Sequence, residues 1–175
     1  VGNGGDINIK TETLLLKDGS ALLADLEHQG DAGDIKIEAR DAVILEGIGP
    51  GAQSGSLQRG FIIPSQISAR VDPILVEIDT GGKGGDISIS SRSLSVTNNG
   101  FISVSTFSKG DAGSIDITTD DLSLTNGAQI GAGTFGRGNG GNLTIHARES
   151  IKITGRSETS RSGIFAPTIE GSGDG

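Results

Sequence analysis

The chain has 175 residues, of which 30 are glycine and 5 phenylalanine, with no cysteine, methionine, tryptophan or tyrosine. This composition excludes disulfide scaffolds, thiolate metal sites and cysteine nucleophiles, and the apolar runs are too short for a membrane-spanning helix. The formal net charge is −8 and the basic residues form no block, which argues against nucleic acid as a partner.

A glycine-rich string recurs along the chain. Each copy reads Gly-x-Gly/Ala-Gly, then Asp, Ser or Asn, then Ile/Leu-x-Ile, and the copies occupy 2–9, 30–37, 82–89, 110–117 and 138–145. A further copy begins at Gly173, so successive copies begin 28, 52, 28, 28 and 35 residues apart. Recurrence at a fixed spacing is typical of repeat architectures. The two longer spacings therefore indicate insertions into one 28-residue unit.

Each unit contains three short segments with strand character. The first is the Ile-x-Ile pair, the second is another alternating apolar pair such as Leu122 and Leu124, and the third resembles Ile130-x-Ala132. Alternation of apolar and polar residues favours strands, and the Asn and Gly residues between the segments tolerate positive φ at corners. We therefore predict that every unit runs strand, corner, strand, corner, strand, corner, with no helix.

Equivalent positions carry the same kind of apolar side chain in every copy. The two clearest sets are Ile7, Ile35, Ile87, Ile115 and Leu143, and Ile9, Ile37, Ile89, Ile117 and Ile145. If the units stack as coils with parallel strands about 4.8 Å apart, each set forms a buried ladder that one coil could not close alone. We predict an all-β fold, a parallel β-helix (solenoid) of about five coils in a single domain, 1–175. We expect it to be right-handed because parallel crossovers are almost always right-handed.

Two of the units are longer than the others. The insertions follow the second strand, at 47–60 (with 71–80) and at 156–162, and the chain resumes at the apolar phrases 60–64 and 163–167 beside a proline. Insertions in a solenoid project outward on one side, which often carries a binding function. We interpret 71–80 as an extra strand packed on the outside.

Three features of the chain resemble one family of proteins. They are the recurring opening string, the phrase at 122–134 and the Ala-Arg-Glu-Ser-Ile phrase at 147–151, which are similar to the repeats of large bacterial exoproteins of the filamentous-haemagglutinin type. The resemblance implies two-partner secretion, that is, export of a β-helical passenger through an outer-membrane β-barrel transporter. It also implies a location that is secreted or on the bacterial cell surface. Because the family's secretion domain is missing from this sequence, we expect an interior fragment.

The resemblance further implies a role in cell adhesion. Proteins of this kind are mostly adhesins, so the expected function is a non-enzymatic shaft or adhesin segment without a cofactor. Its ligand would be a glycan or protein on a host or neighbouring cell. The alternative is a β-helix domain that binds or cleaves polysaccharide, with Asp116, Asp120 and Asp121 near Lys36 and Glu38 if the coils align. Such a sugar cleft would depend on phenylalanine for its aromatic surfaces. We assign no catalytic residue.

An aspartate recurs at one site of the repeat. Asp6, Asp34 and Asp86 occupy it in three copies, and Ser114 and Asn142 follow in the other two. Stacked carboxylates would repel each other by about 1 kcal/mol per pair in water, and a bound Ca²⁺ would relieve this. Calcium-binding glycine repeats recur every nine residues rather than every 28, however. We favour Asx-type side chains that bond backbone N–H groups at a corner and predict no metal site.

Two phenylalanines and two histidines complete the candidate residues. Phe107 and Phe135 are one 28-residue step apart and are predicted to stack in adjacent coils. We favour a pair that covers a corner, and the alternative is an exposed apolar strip for adhesion. His28 and His146 lack the spacing of metal ligands, and His146 should point to solvent because it follows the inward Ile145.

Overall fold

The computed structural model describes residues 2–26, 30–47, 64–71, 81–107 and 109–168. All regular elements of this part of the chain are β-strands. They are β1 (Ile7–Leu16), β2 (Ala21–Leu23), β3 (Ile35–Glu46), β4 (Gln66–Ser68), β5 (Ile87–Ser90), β6 (Ser93–Thr97), β7 (Phe101–Ser103), β8 (Ile115–Thr125), β9 (Gln129–Gly131), β10 (Leu143–Thr154) and β11 (Gly163–Phe165). The predicted all-β class is confirmed. The described residues include no helix with the length and hydropathy needed to cross a membrane.

The strands form two parallel sheets. The first has the order β1-β3-β5-β8-β10, with β6 also between β3 and β8, and the second has the order β2-β4-β7-β9-β11. The strand pairs of both sheets are parallel. A third line of parallel bridges joins Leu26, Val71, Thr106, Thr134 and Thr168. The chain thus visits the same three places once per copy of the repeat, which is compatible with a solenoid.

The two predicted apolar ladders are present in the first sheet. Its register pairs Ile7 with Ile35, Ile35 with Ile87, and so on to Leu143, and it pairs the Ile9 set in the same way. The three inner members of each ladder are buried, whereas those in β1 and β10 are half-buried. This difference arises because β1 and β10 are the outer strands of the sheet and each has a neighbour on one side.

In most units the chain has no corner between the first and second strand segments, where the first corner was predicted. Strands β1, β3, β8 and β10 run through it without a break, and only β5 and β6 are separated there. The register shifts at this point, between Thr11 and Thr13 and between Ala147 and Ser150. The units starting at Gly30 and Gly138 have one more residue here than their neighbours. A β-bulge accommodates the extra residue while pairing continues on both sides.

The second corner has the turn chemistry that was predicted. Asp18, Asn98 and Asn126 have φ values of 53°, 52° and 52°, and Gly19 and Gly127 follow with φ values of 82° and 83°. Asp and Asn are the non-glycine residues that adopt this left-handed conformation most readily. Asn99, which follows Asn98, takes the place of that glycine with a φ value of 63°. A pair of left-handed residues, Asp or Asn followed by Gly or Asn, therefore ends the first sheet and directs the chain into the second.

The insertions are only partly within the described residues. Residues 48–63 and 72–80 lie outside them, so the predicted insertion at 47–60 and the outer strand at 71–80 are not described. Val71 itself is fully buried and pairs with Leu26 and Thr106, so it belongs to the stacked unit rather than to an outer strand. After the first insertion the chain re-enters the second sheet at β4, just beyond the apolar phrase predicted at 60–64. Ile67 of β4, rather than a residue of that phrase, is in register with Leu22.

The second insertion and the phrase after it are described. Residues 156–162 connect β10 to β11 and contain an antiparallel bridge between Arg156 and Arg161. The phrase predicted at 163–167 supplies β11, in which Ile164 is in register with Ile130.

Close backbone approach explains the glycines of the repeated string. A β-carbon placed on the first or fourth residue of a copy would lie under 3.0 Å from the carbonyl oxygen of the equivalent glycine one unit earlier. The glycines concerned are Gly30, Gly82, Gly110 and Gly138 at the first position and Gly33, Gly85, Gly113 and Gly141 at the fourth. Only glycine permits this approach, so the string is needed for the units to stack.

Candidate functional site

The recurring aspartates bond the backbone of the next unit. The Oδ1 atom of Asp6 accepts a hydrogen bond from the N–H of Asp34 at 2.9 Å, and Oδ1 of Asp34 accepts one from Asp86 at 2.8 Å. Asp86 does the same for Ser114 at 2.7 Å. The sequence favoured bonds to backbone N–H groups at a corner, and the structure shows that the donors belong to the next unit rather than to the same turn. No group of three or more His, Asp or Glu side chains in the described segments is arranged to hold a metal ion, and the expectation that no cation binds stays a prediction.

A second ladder of the same kind was missed from the sequence. The Oδ1 atoms of Asn3, Asp31 and Asp111 accept hydrogen bonds from the backbone N–H groups of Asp31, Lys83 and Asn139, at 3.1, 2.9 and 2.8 Å. The signal was present, because the second position of four of the five copies is Asn or Asp. Together the two ladders tie each unit to the next along one edge.

The residues considered for a carbohydrate-cleaving site lie in separate places on the first sheet. Asp120 is hydrogen-bonded and ion-paired with Arg148, and Asp121 accepts a hydrogen bond from the Oγ of Ser150. Asp116 in β8 is in register with Ser88 in β5, and Ser88 is in register with Lys36 in β3, so one strand lies between Asp116 and Lys36. The five residues therefore do not converge.

Lys36 and Glu38 belong to a surface ion-pair cluster. Glu38 pairs with Lys36 and with Lys10, each at 2.9 Å. Hydrogen bonds from Lys36 and Lys10 lower the pKa of Glu38 from 4.5 to about 2. A carboxyl group with a lowered pKa stays ionised at neutral pH and is unsuited to act as a general acid.

His146, the one histidine among the described residues, is not part of a candidate site. His146 is exposed on the outer side of β10, in register with Thr118, as the alternation of its strand predicted. His28 lies outside the described residues.

Phe107 and Phe135 form the predicted stack. Their ring centroids are 4.7 Å apart with an angle of 10° between the planes, and the residues are 43% and 41% exposed. Each follows a buried threonine of the third bridge line, Thr106 or Thr134. Because successive residues point to opposite sides, a buried threonine sends the next ring outward.

The phenylalanine pair forms one wall of a groove that the sequence did not reveal. The groove has a volume of about 490 Å³ and lies on the outer face of the second sheet. Small residues form its middle, and apolar rings flank them on several sides. The small residues are Ser103, Ser105, Gly131 and Gly133, and the other flanking residues are the aromatic Phe101 and Phe165 and the aliphatic Pro167. Pockets of this size fall within the range typical of small-ligand sites.

Two arginines contribute positive charge to the groove. The guanidinium of Arg70 lies 5.7 Å from the ring centroid of Phe101, and that of Arg161 lies 5.6 Å from that of Phe165. Arg70 is also 3.6 Å from a carboxylate oxygen of Asp25, whereas Arg161 makes no ion pair within the described part of the chain. None of the described residues lining the groove is acidic.

Comparison of the chain with protein-family models, curated proteins and solved structures found no match. What the groove can do chemically follows from its own residues. Aromatic flanks, a floor of small side chains and an arginine without a carboxylate partner among the described residues suit the binding of an anionic ligand that has apolar faces.

Proposed function

We propose that this chain is a non-enzymatic shaft segment of a large bacterial exoprotein with an adhesive outer face. In this proposal it is a right-handed parallel β-helix of about five coils, secreted or displayed at the cell surface. The observation that carries the proposal is the unbroken register of equivalent residues through the whole first sheet, from Ile7 to Leu143.

A shaft needs stiffness along its axis, and three kinds of contact supply it here. Apolar ladders fill the interior, glycines permit close backbone contact, and aspartates such as Asp34 bond each unit to the next. Every repeat extends the axis by about 4.8 Å. Such stacking produces an elongated body whose side faces are free for binding.

Repeat architecture also suits export through a transporter. The proposed partner is the outer-membrane β-barrel transporter implied by the resemblance. In a solenoid each unit contacts only its neighbours, so folding can start at one point and spread along the chain. A polypeptide of this kind can cross a membrane unfolded and fold progressively as it emerges. The net charge of −8 helps such a chain stay soluble once exported.

The proposal is tested on the cells that produce the protein. Antibodies raised against the purified chain should label intact cells or the culture medium, and blocking with their Fab fragments should reduce adhesion to other cells. Permeabilised cells serve as the control for expression. Labelling restricted to permeabilised cells would contradict the surface location, and turnover of a polysaccharide by the purified chain would contradict the non-enzymatic role.

A further inference from the structure

We infer that the groove on the outer face of the second sheet binds an acidic polysaccharide built of uronic-acid sugars, with Arg161 as the residue that recognises a sugar carboxylate. The inference deepens the proposed adhesive role by naming its ligand class. The biological meaning of the inference rests on the proposed function, but the binding itself can be measured on the purified chain whether or not the protein is an adhesin.

Gly131 is the first observation that points to a ligand. It is the last residue of the three-residue strand β9, and glycine weakens a strand. Its backbone has no positive φ, and a β-carbon placed on it would meet only the carbonyl oxygen of Phe165, at an ordinary 3.7 Å. Unlike the glycines of the repeated string, Gly131 is therefore required neither by backbone conformation nor by stacking. Its lack of a side chain keeps the floor of the groove open for a group that approaches the backbone closely.

The flanks and floor match the two sides of a pyranose ring. Exposed rings such as Phe107 and Phe135 suit the apolar C–H face of a sugar. The hydroxyl groups of Ser103 and Ser105, which are 3.0 Å apart, can exchange hydrogen bonds with sugar hydroxyl groups. The groove crosses strands about 4.8 Å apart, and one ring of an extended polysaccharide advances by a similar distance. Successive sugars can therefore meet successive strands.

Charge decides in favour of an acidic sugar. The chain as a whole carries a net charge of −8, yet the described lining of the groove contains two arginines and no carboxylate. Arg70 is paired with Asp25, so Arg161 carries the charge without an ionic partner in the described segments. A guanidinium group binds a carboxylate through two parallel hydrogen bonds, and its contact with the ring of Phe165 holds it beside the groove.

The experiment measures binding to the purified chain by calorimetry, since the chain has no tryptophan or tyrosine to report binding by fluorescence. The probe is an oligomer of galacturonic acid. The first control is the same oligomer with its carboxyl groups reduced to neutral alcohols, and the second is polyglutamate of similar charge. We expect the acidic oligomer to bind and both controls to bind at least about tenfold more weakly.

Three variants locate the site. Arg161→Gln should weaken binding about tenfold or more, because it removes a charge-assisted pair of hydrogen bonds. Gly131→Leu should abolish binding by filling the floor. Arg156→Gln is the matched control, since Arg156 is exposed in the same connection but does not line the groove, and it should bind like the parent. Thermal unfolding of each variant, followed by circular dichroism, should match that of the parent.

The outcomes separate this inference from the proposed function. Absence of binding, equal binding of polyglutamate, or equal losses in Arg161→Gln and Arg156→Gln would each overturn the inference. A folded Gly131→Leu variant that binds normally would do the same. None of these results bears on whether antibodies label intact cells, and absence of surface labelling would leave a positive titration standing.

Discussion

A single buried charge in the middle of the first ladder tests the stacked architecture. Ile115 is fully buried, and its register neighbours are Ile87 on one side and Leu143 on the other. Ile7 occupies the equivalent position in β1, where it has one neighbour, Ile35, and is half-buried. The substitutions Ile115→Asp and Ile7→Asp therefore make the same chemical change in two environments that differ in the number of stacked neighbours.

The expected magnitudes follow from burial. Ile115→Asp loses about 1.5–3 kcal/mol of apolar burial and adds a buried, unpaired carboxylate that costs several kcal/mol more. A total of about 5 kcal/mol or more is comparable to the whole stability of a small domain, about 5–15 kcal/mol. Ile7→Asp leaves its carboxylate partly hydrated and should cost about 1–2 kcal/mol. The conservative Ile115→Val change should cost about 1 kcal/mol.

Urea unfolding followed by circular dichroism gives the assay. At neutral pH the order of stability should be parent, Ile115→Val, Ile7→Asp and then Ile115→Asp. Burial raises the pKa of the introduced carboxyl group at 115 in the folded protein. The loss of stability caused by Ile115→Asp should therefore shrink as the pH falls toward about 3.9, the pKa of an aspartate in the unfolded chain. Equal destabilisation by the two aspartate substitutions would refute the argument that neighbouring units bury the ladder.

Three further predictions concern other contacts. Gly85→Ala should destabilise the chain strongly because its β-carbon meets the carbonyl of the preceding unit, whereas Gly131→Ala should leave the unfolding midpoint nearly unchanged. Equal effects would contradict the argument that close backbone approach requires the glycines of the repeated string. Asp86→Ala should cost about 1 kcal/mol by removing the 2.7 Å bond to the next unit, measured by urea unfolding beside Asp86→Asn, which retains an acceptor. Ile151 and Ile153 are 51% and 40% exposed on the outer strand β10, so sedimentation should detect self-association that lysine at both positions suppresses.

The repeat by itself was enough to predict the interior of this protein. Residues 28 positions apart had to become equivalent once the chain stacked on itself, so the apolar sets beginning at Ile7 and Ile9 and the corners rich in Asn and Gly could be predicted. The sequence also indicated that Asp6, Asp34 and Asp86 bond backbone N–H groups at a corner, but only the structure showed that these groups belong to the next unit. These features depend on contacts between equivalent positions in successive copies of the repeat, and a periodic sequence specifies such contacts directly.

The groove depended on the tertiary structure. It joins residues that are not equivalent, including Arg70 and Arg161, each beside or within an insertion of different length, where the 28-residue spacing no longer indicates which residues meet. The role of Gly131 could not be predicted either. A glycine-rich sequence does not distinguish a glycine that stacking requires from one that only leaves space open on the surface. Only the in-register pairing of β7, β9 and β11 brings small residues between aromatic rings and so creates a surface that periodicity could not predict.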